Sequence, residues 1–187
     1  MPLPLVLDVP LGIAWSLAAL GMTAGIYDLA TRRIPNWLTL SGAAAGLSLN
    51  LLLFGARGLS LSLAGLVTGG GVYMVFYLLR AMGAGDVKLM AAVGAFLGPG
   101  KWFQIFLISS ALGAAAAVIL ALRKRRLRSI LSNVAFIVSE LLHLRAPYLG
   151  KPELDFRNEK AIALPHGAVV GAAMVALLIA GHFYRPF

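Results

Sequence analysis

Apolar residues run along this chain in six stretches separated by short polar or glycine-rich segments. Five of the stretches are long enough to cross a bilayer as a helix, which takes about 17–25 residues. The fourth is shorter, follows GAGD and runs into GPGK. The pattern predicts an all-α, polytopic membrane protein, a single membrane-embedded domain over residues 1–187. We expect about six transmembrane helices with a short fourth one, at 11–27, 37–54, 59–79, 87–98, 102–122 and 161–181.

The segment 123–160 differs from the spans because it is polar and basic. Within it, SILSNVAFIVSELLHL (129–144) has apolar residues at close to helical spacing, with polar residues between them. This spacing predicts an amphipathic helix lying at the membrane interface, next to a basic cluster that anionic lipid would attract. The same face would also suit packing against other protein. The following stretch, 145–160, contains proline and many polar residues and predicts a loop.

Composition agrees with a membrane location. The chain is 60% hydrophobic and only 12% charged, whereas soluble domains are about 25% charged. It has no cysteine, which excludes disulfides, thiolate metal sites and a cysteine nucleophile. The three histidines are far apart and show no metal-ligand spacing, so we expect no metal and no cofactor. The net charge of +9 is explained by basic cytoplasmic loops, and we therefore expect no nucleic-acid partner.

The basic residues also orient the chain. With six crossings and both termini outside, the cytoplasmic segments contain 13 of the 16 basic residues, and only Arg57, Lys101 and Arg185 lie outside. If the stretch 87–98 did not cross, the RKRRLR cluster at 123–128 would fall outside, against the positive-inside rule. The N-terminus lacks a basic region and carries Asp8, so we expect the first helix to be retained and not cleaved as a signal peptide.

Two of the seven acidic residues have an unusual position. Asp28 lies at the inner end of the first predicted helix, and Asp86 precedes the fourth, so both face the cytoplasmic side at similar depth. An acid beside a membrane span is costly and is a functional candidate. Two adjacent carboxyls can share a proton, so that one activates water and the other donates to a carbonyl oxygen. The structural alternatives are an Asp28 that pairs with a nearby arginine and an Asp86 that caps the fourth helix.

Two motifs surround these acids. DLATRRIPN (28–36) has the form D-x5-I-P-N, and GAGDVKL (83–89) has the form G-x-G-D-x-K-L. In this order, on a small membrane protein with several helices, they resemble the type IV prepilin peptidases, a family of G-x-G-D membrane aspartyl proteases. The resemblance covers the first four predicted helices. ALPHGAVVGAA (163–173) is similar to the family's last-helix pattern of Pro-x-Gly followed by small residues.

The resemblance implies an enzyme of the bacterial inner membrane, with Asp28 and Asp86 as its catalytic pair facing the cytoplasm. Members cut the leader from prepilins and pseudopilins just after a glycine. Many larger members carry an extension with four cysteines and also methylate the new N-terminus. This chain has no cysteine and looks like the compact subgroup of Flp-type, tight-adherence pili. The resemblance therefore supports leader cleavage but not N-methylation, and it gives no oligomeric state.

Other residues of these motifs are candidates for shaping the site. Gly83 and Gly85 would either let an extended substrate approach Asp86 or form a tight turn. Lys88 would either reach the interface as a snorkelling lysine or contact the acids or the substrate. Pro35 fixes a turn, and Asn36 is suited to cap the second helix.

The last-helix motif adds Pro165 and Gly167, which indicate a kinked or tightly packed helix start. Between them is His166, where the family pattern leads us to expect Tyr or Phe. We interpret this histidine as structural, since the two aspartates already supply both catalytic roles.

Two other functions are compatible with a small membrane protein of this kind. A transporter or proton relay would place acids at several depths along a path, whereas here both lie at one face. A pilus-assembly subunit without enzymatic activity would need neither aspartate.

Overall fold

The computed structural model describes residues 9–123, 125, 127–143, 145, 147–151 and 166–183. These residues form six helices and no strand, so the all-α prediction is confirmed for this part of the chain. The helices are α1 (Leu11–Thr31), α2 (Asn36–Leu78), α3 (Ala84–Arg123), α4 (Leu127–Leu142), α5 (Pro147–Gly150) and α6 (His166–Phe183). By length and composition, α1, α2 and α3 can each cross a membrane.

The two longest helices are each broken at a glycine. Gly55 in α2 and Gly98 in α3 have φ angles of 63° and 69°, in the left-handed region that glycine adopts at no steric cost. The breaks divide α2 into α2a (36–54) and α2b (56–78), and α3 into α3a (84–97) and α3b (99–123). Pro99 follows the second break, where its missing N–H and fixed φ suit the first turn of a new helix.

The break in α3 leaves backbone carbonyls that α2 satisfies. Pro99 has no N–H to donate to the carbonyl oxygen of Ala95, four residues earlier. The Asn50 side chain donates to this oxygen at 3.1 Å and to that of Phe96 at 3.1 Å, and the Ser62 hydroxyl also donates to Ala95. Because buried carbonyls need partners, these two polar side chains fix the bend of α3 against both halves of α2.

Small residues bring α2b and α3a into backbone contact. Gly65 and Gly94 face each other so closely that a Cβ on either one would overlap the carbonyl oxygen of the other. Close approach through small residues is a common way for membrane helices to pack. The contact fixes α3a, and with it the segment that leads back to Asp86, against α2b.

A second pair is formed by α1 and α6. A Cβ on Gly171 of α6 would overlap the carbonyl oxygen of Gly21 in α1, and a Cβ on Gly25 would meet the Ala168 Cα at 3.4 Å. Helix α6 also packs on α3, and α1 touches α2 and α3. The α1–α6 pair and the α2–α3 pair therefore pack side by side, and Asp28 belongs to one pair while Asp86 belongs to the other.

Both aspartates lie within helices and not beyond their ends. Helix α1 continues four residues past the predicted span, to Thr31, and closes at Arg32, whose N–H donates to the carbonyl oxygen of Asp28 at 2.9 Å. Helix α3 begins at Ala84, before the predicted span. The predicted spans include only the apolar residues, which mark the part of a helix inside the hydrocarbon layer. These two helices continue beyond that layer into polar sequence.

Helix α4 stands apart from the two pairs, since it contacts only α3 and α5 among the described helices. It covers most of the stretch in which the sequence predicts an amphipathic helix. On the polar side, Lys151 donates to the Asn133 side chain at 3.1 Å and lies 4.8 Å from the centre of the Phe136 ring. The predicted loop 145–160 contains the short helix α5, and residues 152–160 of it lie outside the described part of the chain.

Candidate active site

Asp28 lies in the last turn of α1, with 8% of its surface exposed. Its Oδ2 accepts a hydrogen bond from the backbone N–H of Ala168, near the start of α6, at 3.4 Å. A Cβ on the neighbouring Gly167 would lie 3.1 Å from the Asp28 Cβ and 3.2 Å from its Oδ2. Because Gly167 has no side chain, the Asp28 carboxyl can pack directly against α6.

Asp86 is the third residue of α3 and is half-buried. Its Oδ2 accepts a hydrogen bond from the N–H of Gly83, the residue before the helix, at 3.2 Å. An acidic side chain that reaches back from the third helical position is half of a capping box, and it favours the helix start. Asp86 thus supports the start of α3 from inside the helix, and its second carboxyl oxygen is left for other contacts.

Asp86 follows Gly85 and Asp28 contacts Gly167, and both glycines pack on Ile34, so the two aspartates lie in the same region. Glu140 is the remaining acid in the described part of the chain, and it lies on α4. No group of three or more His, Cys, Asp or Glu side chains comes together within the described residues. The two carboxyls are titratable groups able to exchange a proton with a bound water or peptide.

Ile34 joins the three sequence motifs at this site. A Cβ on Gly85 would lie 3.2 Å from the Ile34 Cβ, and a Cβ on Gly167 would lie 3.0 Å from the Ile34 Cδ1. One side chain therefore packs against the glycine before Asp86 and the glycine beside Asp28. The sequence motifs indicate Ile34 only as a neighbour of the Pro35 turn. A side chain at either glycine would crowd Ile34, so close packing explains why both positions are glycine.

The polar residues at the starts of α2 and α3 are also linked. Lys88 Nζ donates to Asn36 Oδ1 at 2.8 Å, and both residues are exposed. The prediction that Asn36 caps α2 is wrong, because Pro35 occupies the N-cap position and no side-chain cap hydrogen bond forms there. The Asn36 oxygen accepts from Lys88 instead. Lys88 therefore has a specific protein partner and ties the I-P-N motif to the G-x-G-D motif.

For the leader-cleaving activity that the sequence resemblance implies, we predict that Lys88→Met and Asn36→Ala each slow the reaction by about tenfold or less, because an exposed hydrogen bond contributes only about 0.5–1.5 kcal/mol. The double variant should be no slower than the slower single variant, since both changes remove the same bond. Initial rates on a prepilin substrate would measure this coupling. Losses that multiply in the double variant would mean that the two side chains act separately.

A tyrosine and a histidine complete the surroundings of the acids. The Tyr73 hydroxyl, on α2b, and His166 Nε2, at the start of α6, are 3.1 Å apart and share a hydrogen bond. His166 directly precedes Gly167 and Ala168, the two residues of α6 that contact Asp28. The motifs assign no role to Tyr73. It continues the stripe of small residues Gly58, Ser62, Gly65 and Gly69, whose helical spacing marks the packed face of α2b.

Of the predicted site residues, the structure brings together Asp28, Asp86, Gly83, Gly85 and Gly167, with Pro35, Asn36 and Lys88 at the edge. His166, which the sequence indicates only as a structural residue, lies beside Gly167. Pro165 lies outside the described residues. The arrangement has two carboxyls from different helices, a backbone donor on each, and glycine or small side chains around both. This is suited to proton transfer to and from a bound water or peptide.

Part of the sequence matches known proteins. Residues 15–118, which include both aspartates, match the family model described as the type IV leader peptidase family. The chain is 36% identical over 122 residues to proteins named prepilin leader peptidase/N-methyltransferase from Burkholderia pseudomallei strains 1026b and K96243. Each alignment covers 59% of this chain and 39% of the relative, so the chain spans about two fifths of its relatives' length. No solved structure matches. The family match covers more than half of the sequence, and the chain belongs to the type IV leader peptidase family.

Proposed function

We propose that this protein is a membrane aspartyl endopeptidase that removes the leader peptide from type IV prepilins, of the Flp-like kind, at the cytoplasmic face of the bacterial inner membrane. The observation that supports the proposal is that Asp28 and Asp86, from two separate helix pairs, both adjoin glycines that pack on Ile34. Family membership and the two named relatives support a prepilin-processing role.

In the proposed reaction, one carboxylate takes a proton from a water molecule as the water oxygen attacks the scissile carbonyl carbon. The other carboxyl, which is protonated, donates its proton to the carbonyl oxygen. Collapse of the resulting tetrahedral intermediate breaks the C–N bond, and a proton passes to the leaving amine. Two carboxyls sharing one proton supply both steps, without a covalent intermediate.

Cleavage of a purified substrate tests the proposal. The full chain, in lipid vesicles, is incubated with a Flp-type prepilin, and the mass of the product gives the position of the cut. We expect one cut directly after the glycine that ends the leader. A prepilin that stays uncleaved would contradict the peptidase function. A proton or solute flux across the vesicle membrane without cleavage would in addition favour a transporter.

The orientation in the membrane is also testable, because the chain has no cysteine of its own. Arg57 follows the break in α2 and Arg125 follows α3, and both are exposed. We expect an impermeant thiol reagent, added to intact inner-membrane spheroplasts, to label Arg57→Cys but not Arg125→Cys. Permeabilised cells should give labelling of both. The opposite pattern in intact spheroplasts would place the active site outside.

We further propose that the apolar face of α4 lies on anionic lipid. Leu131, Val134, Val138 and Leu142 follow one another at helical spacing, and each is at least 50% exposed. Arg123, Arg125 and Arg128, at the start of this helix, are exposed as well. Exposed basic residues beside an exposed apolar stripe fit an anionic membrane surface, where the stripe enters the acyl region and the arginines meet headgroups.

Spin labels on adjacent faces of α4 would show whether lipid covers the stripe. We expect a label at Val138→Cys, on the apolar face, to be more accessible to dissolved oxygen than to a water-soluble nickel chelate in vesicles containing phosphatidylglycerol. The matched control Ser139→Cys should show the reverse. Equal accessibility at the two positions, or protection of Val138→Cys only when prepilin is added, would contradict a lipid partner.

A further inference from the structure

Tyr73 is the most enclosed polar side chain beside the aspartates. It has no exposed surface, and the rings of Phe76, Trp102 and Phe106 surround it with centroids 5.9–6.5 Å away. A buried phenol requires a hydrogen-bond partner. The buried Ser109 side chain, on α3b, is one group that interacts with the Tyr73 hydroxyl, and His166 is the other. The Tyr73 hydroxyl lies 3.1 Å from His166 Nε2, and the two ring centres are 5.6 Å apart. His166 therefore contacts Tyr73 both through the hydrogen bond of its ring nitrogen and through a tilted ring–ring contact.

His166 begins the same short stretch of α6 that contacts Asp28. The next residue, Gly167, leaves the space that Asp28 occupies, and the N–H of Ala168 donates to Asp28 Oδ2 at 3.4 Å. His166 thus contacts Tyr73, Gly167 adjoins the Asp28 side chain, and Ala168 donates to the Asp28 carboxyl oxygen. A shift of His166 would move the two residues that locate Asp28.

Tyr73 belongs to the other helix pair. It lies on α2b, whose small residues hold α3a at backbone contact, and α3a begins with the turn that carries Asp86. The hydrogen bond between Tyr73 and His166 therefore runs from the pair that carries Asp86 to the pair that carries Asp28. It links the two pairs through side chains, next to the residues of α6 that contact Asp28.

We propose that Tyr73 and His166 form a positioning pair, which holds the α1–α6 pair against the α2–α3 pair so that the two carboxyls meet. The kinetic consequences of this proposal rest on the proposed peptidase function. The structural role of the pair does not. Neither side chain is a proton donor or acceptor in the cleavage itself. Their effect is on the fraction of molecules in which Asp28 and Asp86 are correctly placed.

The kinetic test uses four variants of the full chain in vesicles: Tyr73→Phe, His166→Phe, His166→Gln and the double Tyr73→Phe/His166→Phe. Tyr73→Phe removes a single oxygen atom and keeps the ring packing, and His166→Gln keeps a polar group able to bond the phenol. We expect kcat to fall about tenfold in each phenylalanine variant, with KM within about twofold, because an orienting contact acts on the reacting geometry. His166→Gln should recover most of kcat, and the double variant should equal the singles.

A second readout does not depend on activity. In the cysteine-free chain, Asp28→Cys/Asp86→Cys can be joined by a short bifunctional thiol reagent, and the yield should fall several-fold when Tyr73→Phe is added. Unchanged cross-linking together with wild-type kcat in the Tyr73→Phe and His166→Phe variants would overturn the pair. If no variant cleaves prepilin, including the unmodified chain, the proposed function fails, and the cross-linking yield alone decides whether the pair positions the acids.

Discussion

Asp28→Asn and Asp86→Asn are each expected to reduce prepilin cleavage by a factor of about 10² to 10⁴, the range that a positioned acid or base contributes. Asparagine has nearly the same shape as aspartate but neither gives nor takes a proton. Each substitution therefore removes one of the two proton transfers, either from the water to a carboxylate or from a carboxyl to the peptide oxygen. The amide can still accept a hydrogen bond from the Ala168 N–H or the Gly83 N–H, so the helix contacts are kept.

The matched control is Glu140→Gln, which makes the same acid-to-amide change on α4, away from the site. Cleavage by this variant should equal that of the unmodified chain. The double variant Asp28→Asn/Asp86→Asn should be no slower than either single variant, because groups that act as a unit do not contribute additively. Rates are to be compared at equal protein amounts in the membrane. Full activity in either single variant would show that the carboxyls do not act together.

The second large effect is expected at the contact between α2b and α3a. Gly65→Ala places a Cβ against the carbonyl group of Gly94, where backbone cannot move aside cheaply. Overpacking of this kind costs about 1–3 kcal/mol and sometimes more. We expect a lower unfolding temperature in detergent and slower prepilin cleavage, because displacing α3a also displaces Asp86 at its start.

Gly71→Ala provides the control on the same helix. A Cβ at Gly71 would have no atom within 4 Å, and the residue is exposed. Alanine should leave the stability unchanged or raise it by up to about 1 kcal/mol, because alanine favours a helix more than glycine does. Equal unfolding temperatures for the two alanine variants would contradict the close packing of α2b on α3a.

The helical fold was predictable from the sequence for physical reasons, and the pairing of the aspartates stays a prediction. A bilayer admits few backbone structures other than helices, so apolar length alone indicates them. The distribution of basic residues predicts an orientation that places Asp28 and Asp86 on one side, although neither aspartate enters that count. The break at Gly98 is also visible in the sequence, because GPGK combines two glycines with a proline.

The contacts that locate the acids could not be predicted in the same way. The partner of Asn36 is Lys88, on another helix, although local rules favour asparagine as a cap. Ile34 lies between Gly85 and Gly167 because three separate segments converge there. These contacts depend on how helices pack in three dimensions, which hydrophobic periodicity along one helix does not encode. The helix ends around Asp28 and Asp86 differ from the predicted spans because turns and caps, not membrane thickness, end these helices.

The distance between the two reactive positions in the membrane tests the central claim most directly. In the cysteine-free chain, Asp28→Cys/Asp86→Cys is treated with a short bifunctional thiol reagent in vesicles, and the cross-linked peptides are identified by mass. Asp28→Cys/Arg57→Cys serves as the control, since residue 57 is expected on the opposite side of the membrane. We predict an intramolecular link between positions 28 and 86 and none between 28 and 57. No link between 28 and 86, with both cysteines reactive towards a single-ended reagent, would show that the carboxyls do not share a site.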